Sequence, residues 1–487
     1  MPDALAGLAL DGASQTPIYR QIYRRIAGAV LDGRLAPGAR LPSARSLAAQ
    51  LSIARGTVET AYQLLAGEGY IVARGAAGTL VAPGLDRKLL EAGGGDRSSR
   101  VSVTPAAAVA PVRAPALFRL GLPALDAFPH KVWSRLFARQ ARSLGPAALA
   151  YQSPAGHEAL RVEVARYLAV ARGVACAPEQ VFITGGFQGA LGLVIHCLLQ
   201  AGDTAWVEDP GYDNARNALR LAGMRLVGVP VDRDGADVTW AAEKAPPARL
   251  AVVTPTHQSP LTVALSLPRR MALLAWAADT EAWIVEDDYD SEYRYLGKPL
   301  PALKSLDRHE RVLFVGSFSK VLSPGLRVGY LVVPPGLVER CAAIADLLQP
   351  PPAALIQATI AAFLEQGYLG RHIRRMRQLY RERRTALVEA LRAQLHATLD
   401  IELQPGGMHL VARLPRGTDD VKLVAALLKQ GIGPSALSAW GVERPYAPGL
   451  LISFTNVDVK KALQAARRLA EALNAAGAGQ PRRRRRE

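Results

Sequence analysis

Only three cysteines occur in 487 residues, Cys176, Cys197 and Cys341, and none forms a CxxC pair. That argues against a disulfide framework or a cysteine-built zinc site and fits a reducing cytoplasm. No uncharged apolar run approaches the ~20 residues of a membrane span. The N-terminus lacks a basic start followed by an apolar core, so no signal peptide is expected. Aromatic residues are few, at 6%, whereas Ala and Leu abound, which points to helix-rich packing. Acid is also scarce: 42 Asp and Glu face 59 Lys and Arg, a net charge of +17. Such a balance favours an acidic partner, nucleic acid being the commonest, although Arg-rich coding produces the same excess without one.

What is present divides the chain. At 49% hydrophobic, it has apolar material for well-buried cores, yet it is too long for one, and two or more domains are the default. Residues 13–82 are Arg-rich and short in elements. From Pro17 to Ala82 eight Arg face only Asp32, Glu59 and Glu68, leaving this head net basic by five. Residues 83–116, with Gly93-Gly94-Gly95, an Ala run and Pro105, Pro111 and Pro115, cannot build a core and read as a flexible linker. Apolar periodicity returns for a body at 117–478. A basic tail, 479–487, holds Arg482 to Arg486. In the body, Val181–Thr184, Thr204–Val207, Leu250–Val253, Trp283–Val285 and Val312–Val315 read as buried strands. Helical stretches alternate with them, which predicts an α/β body with a mainly parallel sheet.

In the head, Ile18, Ile22 and Ile26 at helical spacing predict a helix over Pro17 to Ala29. Leu35-Ala36-Pro37-Gly38 ends it. Pro42-Ser43 offers an N-cap to Ala44–Leu51. After the turn at Ser52-Ile53, Ala54–Gly67 follows, with Arg55 and Thr57 near its start, where a recognition helix meets DNA. Gly69 to Val72, Gly75 to Gly78 and Thr79 to Val81 read as a hairpin wing. The stretches Leu41 to Ala48 and Arg55 to Tyr62 resemble the GntR-type winged helix-turn-helix, an α+β fold. That resemblance implies DNA contacts from Arg45, Arg55, Thr57 and the wing at Gly78. Ala54 and Gly56 stand where Ser and Asn are common, so base preference is left open.

In the body the lysine of Ser317-Phe318-Ser319-Lys320 has an amine able to form a Schiff base with an aldehyde cofactor. Alone it would be an ordinary solvated side chain. Its company differs: Ser317, Ser319 and Arg327 suit a phosphate. Asp287, after a strand, could keep a pyridine nitrogen protonated, and Tyr289 could bond a phenolic oxygen. Gly185-Gly186-Phe187-Gln188-Gly189 follows a strand and opens a helix, whose first N–H groups favour phosphate. These motifs occur in order with Val207 to Tyr212, Thr254 to Gln258 and Glu286 to Tyr293.

The body resembles a fold-type-I aspartate-aminotransferase-like domain, and the two parts together resemble the MocR/PdxR family of regulators. The resemblance implies pyridoxal 5'-phosphate on Lys320, with Asp287 at the ring nitrogen, Tyr289 at the ring oxygen and Tyr212 stacked on the ring. Phe187, Gln188, Ser317, Ser319 and Arg327 would hold the phosphate. His257 and Gln258 would lie near the ring. Tyr151 resembles the tyrosine that reaches a neighbouring subunit's phosphate, implying a homodimer with shared sites. Leu451 stands where an aminotransferase has its carboxylate-binding Arg, and Asn214 where amino-acid-responsive members can carry another. Arg413 or Arg444 could substitute. The expectation is therefore a cytoplasmic regulator rather than an enzyme, binding promoter DNA and a small-molecule effector, with no membrane partner. The effector would be pyridoxal phosphate itself or an amino compound. The alternative is a working aminotransferase with an accessory DNA head.

Overall fold

The computed structural model describes residues 10–11, 16–75, 78–84, 116–146, 150–297, 300–348, 350–396, 398–441, 443 and 446–476. The expected linker, apart from its two ends, and the basic tail lie outside these residues. The chain forms two compact units, Met1–Pro111 and Val112–Glu487.

In the first unit three helices, α1 (Ile18–Leu31), α2 (Ala44–Leu51) and α3 (Arg55–Gly67), pack with a sheet of β1 (Arg40–Leu41), β2 (Ile71–Ala73) and β3 (Thr79–Val81), in the order β1-β3-β2. The first helix runs two residues past Ala29, to Leu31 with Asp32 as its C-cap, because Ala29 and Val30 are still on the buried face. Ser43 caps α2 as the sequence indicates, its hydroxyl accepting from Ser46 N at 3.1 Å. Ile22, Ile26, Leu47, Val58, Leu65 and Val81 form the core, each less than 3% exposed. Each such burial contributes roughly 1.5–3 kcal/mol relative to exposure. Tyr62 ties α3 to the α2 entry by donating to Pro42 O at 2.8 Å.

The second unit is built on an eight-stranded sheet. Its strands are β4 (Val181–Thr184), β5 (Thr204–Asp209), β6 (Arg225–Asp232), β7 (Gly235–Ala236), β8 (Leu250–Val253), β9 (Trp283–Asp288), β10 (Val312–Ser317) and β11 (Gly329–Val332). Their order is β4-β11-β10-β9-β8-β5-β6-β7. The run from β10 through β9, β8 and β5 to β6 is parallel, while β11 pairs antiparallel with both β10 and β4. The sheet is thus parallel at its centre and mixed towards both ends. The central strands β8 and β10 are apolar runs buried on both faces, as a helix-covered parallel sheet requires. Strands β5, β9 and β10 run two or three residues beyond their apolar stretches, and these polar extensions carry Glu208, Asp287 and Ser317.

A second sheet, order β12-β13-β15-β14, comprises β12 (Asp400–Glu402), β13 (His409–Arg413), β14 (Ser435–Ala436) and β15 (Gly449–Ser453). Two of these strands are only two or three residues long, too short to leave a periodicity. The 28-residue helix Tyr368–Leu395 leads into this sheet and packs against the helix Ala462–Ala475.

Candidate functional site

The C-terminal ends of β4, β9 and β10 open onto one cavity of about 380 Å³. Lys320, Asp287, Tyr289, Tyr212, Phe187, Gln188, Ser317, Ser319 and Arg327 all line it. Residues separated by more than 130 positions therefore converge because parallel strands deliver their following loops to the same edge.

Beyond β4 the chain turns at Gly186, whose φ of +92° lies in the region open to glycine, and enters the helix Phe187–Leu198. The first N–H groups of that helix have no intrahelical acceptor and carry the positive end of its dipole. Arg327 lies beside them, Nη2 donating to Gln188 Oε1 at 3.5 Å. Ser317 Oγ accepts from Ser319 N at 3.1 Å, closing the loop that presents Lys320.

Lys320 Nζ donates to Gly121 O at 2.7 Å. Burial lowers the amine's pKa, opposed by the nearby Asp290 and Asp287 carboxylates. A depressed pKa raises the neutral fraction, the form that attacks a carbonyl.

The three acids at the end of β9 show how the backbone sorts like side chains. Glu286 accepts from Leu303 N and Lys304 N, both at 2.8 Å. Asp288 is held by Arg172, whose Nε and Nη2 donate at 2.7 and 3.2 Å. Asp287, between them, points into the cavity. Its carboxyl is pushed well above the usual range, first by burial and then by the adjacent Asp288. Tyr289, two residues on, has a buried hydroxyl that makes no hydrogen bond among the described residues, though Ser259 stands beside it, and burial drives its pKa up.

Tyr212 caps the helix Asp213–Leu221 and accepts from Asn214 Nδ2 at 2.9 Å. It stacks on Trp440, centroids 6.4 Å apart at 27°, and meets Phe187 edge-on at 5.6 Å. An aromatic wall results. Trp440, Leu120, Gly121, Ser259, Met408 and His409 also line the cavity and were not singled out in sequence. His409 Nε2 lies 2.8 Å from Pro260 O, and burial lowers its pKa. Because a carbonyl oxygen only accepts, Nε2 carries a proton. Gly406-Gly407-Met408-His409 was the one available signal for it; Leu120, Gly121 and Trp440 reach the cavity only through tertiary packing.

Three expected residues do not line this cavity, Tyr151 among them being expected to serve a neighbouring subunit's site rather than its own. His257 and Gln258 are buried. His257 Nδ1 bonds Asp290 Oδ1 at 2.8 Å. Gln258 Nε2 donates to Pro210 O and Ser259 O at 2.8 and 2.9 Å, while its Oε1 accepts from Leu261 N at 2.9 Å. These bonds consume the amide in shaping the loop, so Gln258 positions Ser259. Tyr151 is fully exposed and off its own chain's cavity. Among the described residues Arg327 is the only arginine on the lining. Leu451 is buried in β15 among Leu261, Val411 and Leu437. Arg413 is committed to Glu402 at 2.7 Å and lies over Tyr446, so it does not replace a carboxylate-binding arginine here. Arg444 lies outside the described residues.

In the first unit Arg45 and Arg55 are exposed and Thr57 is half-buried at the start of α3. Arg55 Nε is paired with Glu59 Oε1 at 2.8 Å. At the wing, Gly78 takes a φ of +85° and leaves room for the Arg40 guanidinium, which a Cβ would meet at 3.1 Å.

Residues 18–81 match the gntR family of bacterial regulatory proteins, and 125–469 match aminotransferase class I and II. The probable rhizopine catabolism regulatory protein MocR of Rhizobium meliloti is 39% identical, the match covering 93% of each chain. The pyridoxine biosynthesis regulator PdxR of Corynebacterium glutamicum is 35% identical over 89% of this chain and 91% of its own. The chain belongs to the MocR/PdxR family of transcription regulators. Its body has the fold of aminotransferases. The α-aminoadipate aminotransferase LysN of Thermus thermophilus, solved with N-(5'-phosphopyridoxyl)-L-leucine, superposes with a TM-score of 0.69 at 30% identity. That match covers 75% of this chain and 93% of LysN. No helix among the described residues is long and apolar enough to cross a membrane.

Proposed function

We propose that this regulator binds pyridoxal 5'-phosphate at Lys320 and that occupancy of this site changes its affinity for promoter DNA. The observation carrying the reading is that Lys320, Asp287 and Tyr289 share one cavity with a helix N-terminus and Arg327. Each has an unmet need the group would meet. Asp287 is a buried carboxyl with a raised pKa, which a protonated pyridine nitrogen would stabilise as the anion. The Tyr289 hydroxyl makes no hydrogen bond among the described residues, with only Ser259 beside it. The first N–H groups after Gly186, with Ser317, Ser319 and Arg327, suit a phosphate. Bound there, the group supplies an aldehyde for amine capture and an electron-withdrawing ring. The chain's own residues do the rest: Tyr212 and Trp440 would wall the ring, and burial shifts the Lys320 amine towards its neutral form.

The effector is pyridoxal phosphate itself or a small amino compound, because the described cavity offers no arginine for a carboxylate besides Arg327 at the phosphate end. The exposed Tyr151, which completes no site in its own chain, supports a homodimer in which it serves the neighbouring one.

The test uses the purified full chain and its Lys320→Ala variant, titrated with pyridoxal phosphate. Absorbance and affinity for promoter DNA are both followed. A Schiff-base absorbance band in the wild type alone, accompanied by a change in DNA affinity, is expected. Identical spectra from the two proteins would remove Lys320 as the anchor. A band without any change in DNA affinity would leave the cofactor but remove it as effector, turning the search to amines.

A further inference from the structure

The helix His130–Ser143 contains Lys131, Arg135, Arg139 and Arg142 and no acid. Spacings of four, four and three residues put these cations on one stripe, and all four are exposed. The helix Tyr368–Leu395 holds eight Arg against Glu382 and Glu389, and Arg371 and Arg374 are exposed near its start. Tyr368 joins the two helices. Arg135 Nη2 donates to its hydroxyl at 2.5 Å. The Arg135 and Arg371 guanidiniums lie 5.7 and 4.5 Å from its ring centroid. Gln366 binds the same pair of elements: its backbone oxygen accepts from Arg371 Nη2 at 2.9 Å. With its amide turned to satisfy its neighbours, its side-chain oxygen accepts from Arg139 Nη2 at 2.6 Å.

Among the described residues none of these six cations has an ion-pair partner, in contrast to Arg166, Arg269 and Arg413 elsewhere on the body. Of the acids near these cations in sequence, Glu365 ends the preceding helix and Glu382 accepts from Gln378 Nε2 at 3.1 Å. Neither helix displays a large exposed apolar side chain, which an interfacial membrane helix or an apolar docking face would need. The residues from Lys131 to Arg142 extend roughly 16 Å at 1.5 Å per residue. A duplex presents about ten phosphate charges over that length, at one per ~1.7 Å.

We infer that this face of the effector body is a second DNA-binding surface, which contacts the phosphate backbone without reading sequence. Stacking on Tyr368 and bonding to Gln366 hold three of the guanidiniums in place while leaving their remaining N–H groups for phosphate oxygens. The inference rests on the body's own charges and not on the cofactor reading.

The experiment measures binding of the full chain to random-sequence duplex DNA across a salt series, since phosphate contacts carry no sequence information. The variants are Arg135→Gln/Arg139→Gln/Arg371→Gln/Arg374→Gln, the same four positions changed to Lys, and Lys131→Gln/Arg142→Gln. The side chains of the last pair make no hydrogen bond among the described residues, so replacing them removes none from the fold. The four-Gln variant should lose about 2–4 from the slope of log K against log salt, at ~0.9 per phosphate contact, and bind at least tenfold more weakly at low salt. The Lys variant should keep most of the slope, and the Lys131/Arg142 variant should lose about 1–2. Unchanged slopes in the Lys131/Arg142 variant and in a folded four-Gln variant overturn the inference. So does charge-dependent binding to phosphatidylserine vesicles alongside an unchanged DNA slope.

Discussion

Replacing Arg172 by Met tests how the site is held. Arg172 and Asp288 form an ion pair with both side chains about 5% exposed, the guanidinium also donating to Leu300 O and Thr256 Oγ1 at 3.0 Å each. Burial alone would depress the Arg172 pKa; the carboxylates of Asp288, Glu286 and Glu292 outweigh it and raise it. Removing the cation leaves Asp288 with Ser291 Oγ, at 2.9 Å, as its remaining side-chain donor. Breaking a buried pair from one side costs about 3–5 kcal/mol, because one charge stays desolvated and unpaired. Urea unfolding of the full chain should therefore show the body losing about that much, roughly a hundred- to several-thousand-fold in its folded-to-unfolded ratio at 1.4 kcal/mol per tenfold. The double variant Arg172→Met/Asp288→Leu should recover at least half, since an apolar pair of similar volume leaves no charge stranded. Because Asp288 also raises the Asp287 pKa, cofactor binding should change in the single variant. A loss below about 1 kcal/mol, or no recovery in the double variant, would refute the assignment of this pair as the anchor of β9.

Arg55→Ala should weaken promoter binding by about 1–3 kcal/mol, the range for a base-reading contact, with cofactor spectra unchanged; an unaltered affinity in a shift assay would remove α3 as the recognition helix. Asn214→Arg places a guanidinium beside Tyr212 on the cavity wall, and should tighten binding of amino acids at least tenfold relative to amines lacking a carboxylate, read by spectral titration. Burial raises Glu208 from 4.5 to about 7, against hydrogen bonds from Thr254 and Gln258. A raised carboxyl contributes stability at low pH that is lost as pH rises through its folded value, so the wild type should lose stability between about pH 4.5 and 7 through this group. Glu208→Gln should flatten that part of the curve in pH-dependent unfolding, and an unchanged profile would show that Glu208 titrates normally.

Much of this molecule was legible in its residues. The isoleucines of α1, Ser43 before α2 and the glycines of the wing specify local structure through spacing, capping and backbone freedom, which need few distant partners. The apolar runs of β4, β8 and β10 likewise announced buried strands. Lys320, Asp287, Tyr289 and the Gly185-Gly186 turn stood out because Schiff-base and phosphate chemistry need those groups at strand ends.

The sequence by itself determined the two-part organisation, the family and the residue types at the candidate site, since these reside in residue types and short spacings. Tertiary structure decided which side chains face the cavity. Trp440, Leu120 and His409 arrive from remote segments, and Gln258 turns inward because its amide is consumed by the loop it shapes. It also decided that Glu286, Asp287 and Asp288 differ: alternation along β9 turns Asp287 to the cavity and the other two to the opposite face, where backbone amides meet Glu286 and Arg172 meets Asp288. The basic face around Tyr368 has the same origin: helices more than 200 residues apart in sequence bring their unpaired arginines together only when folded.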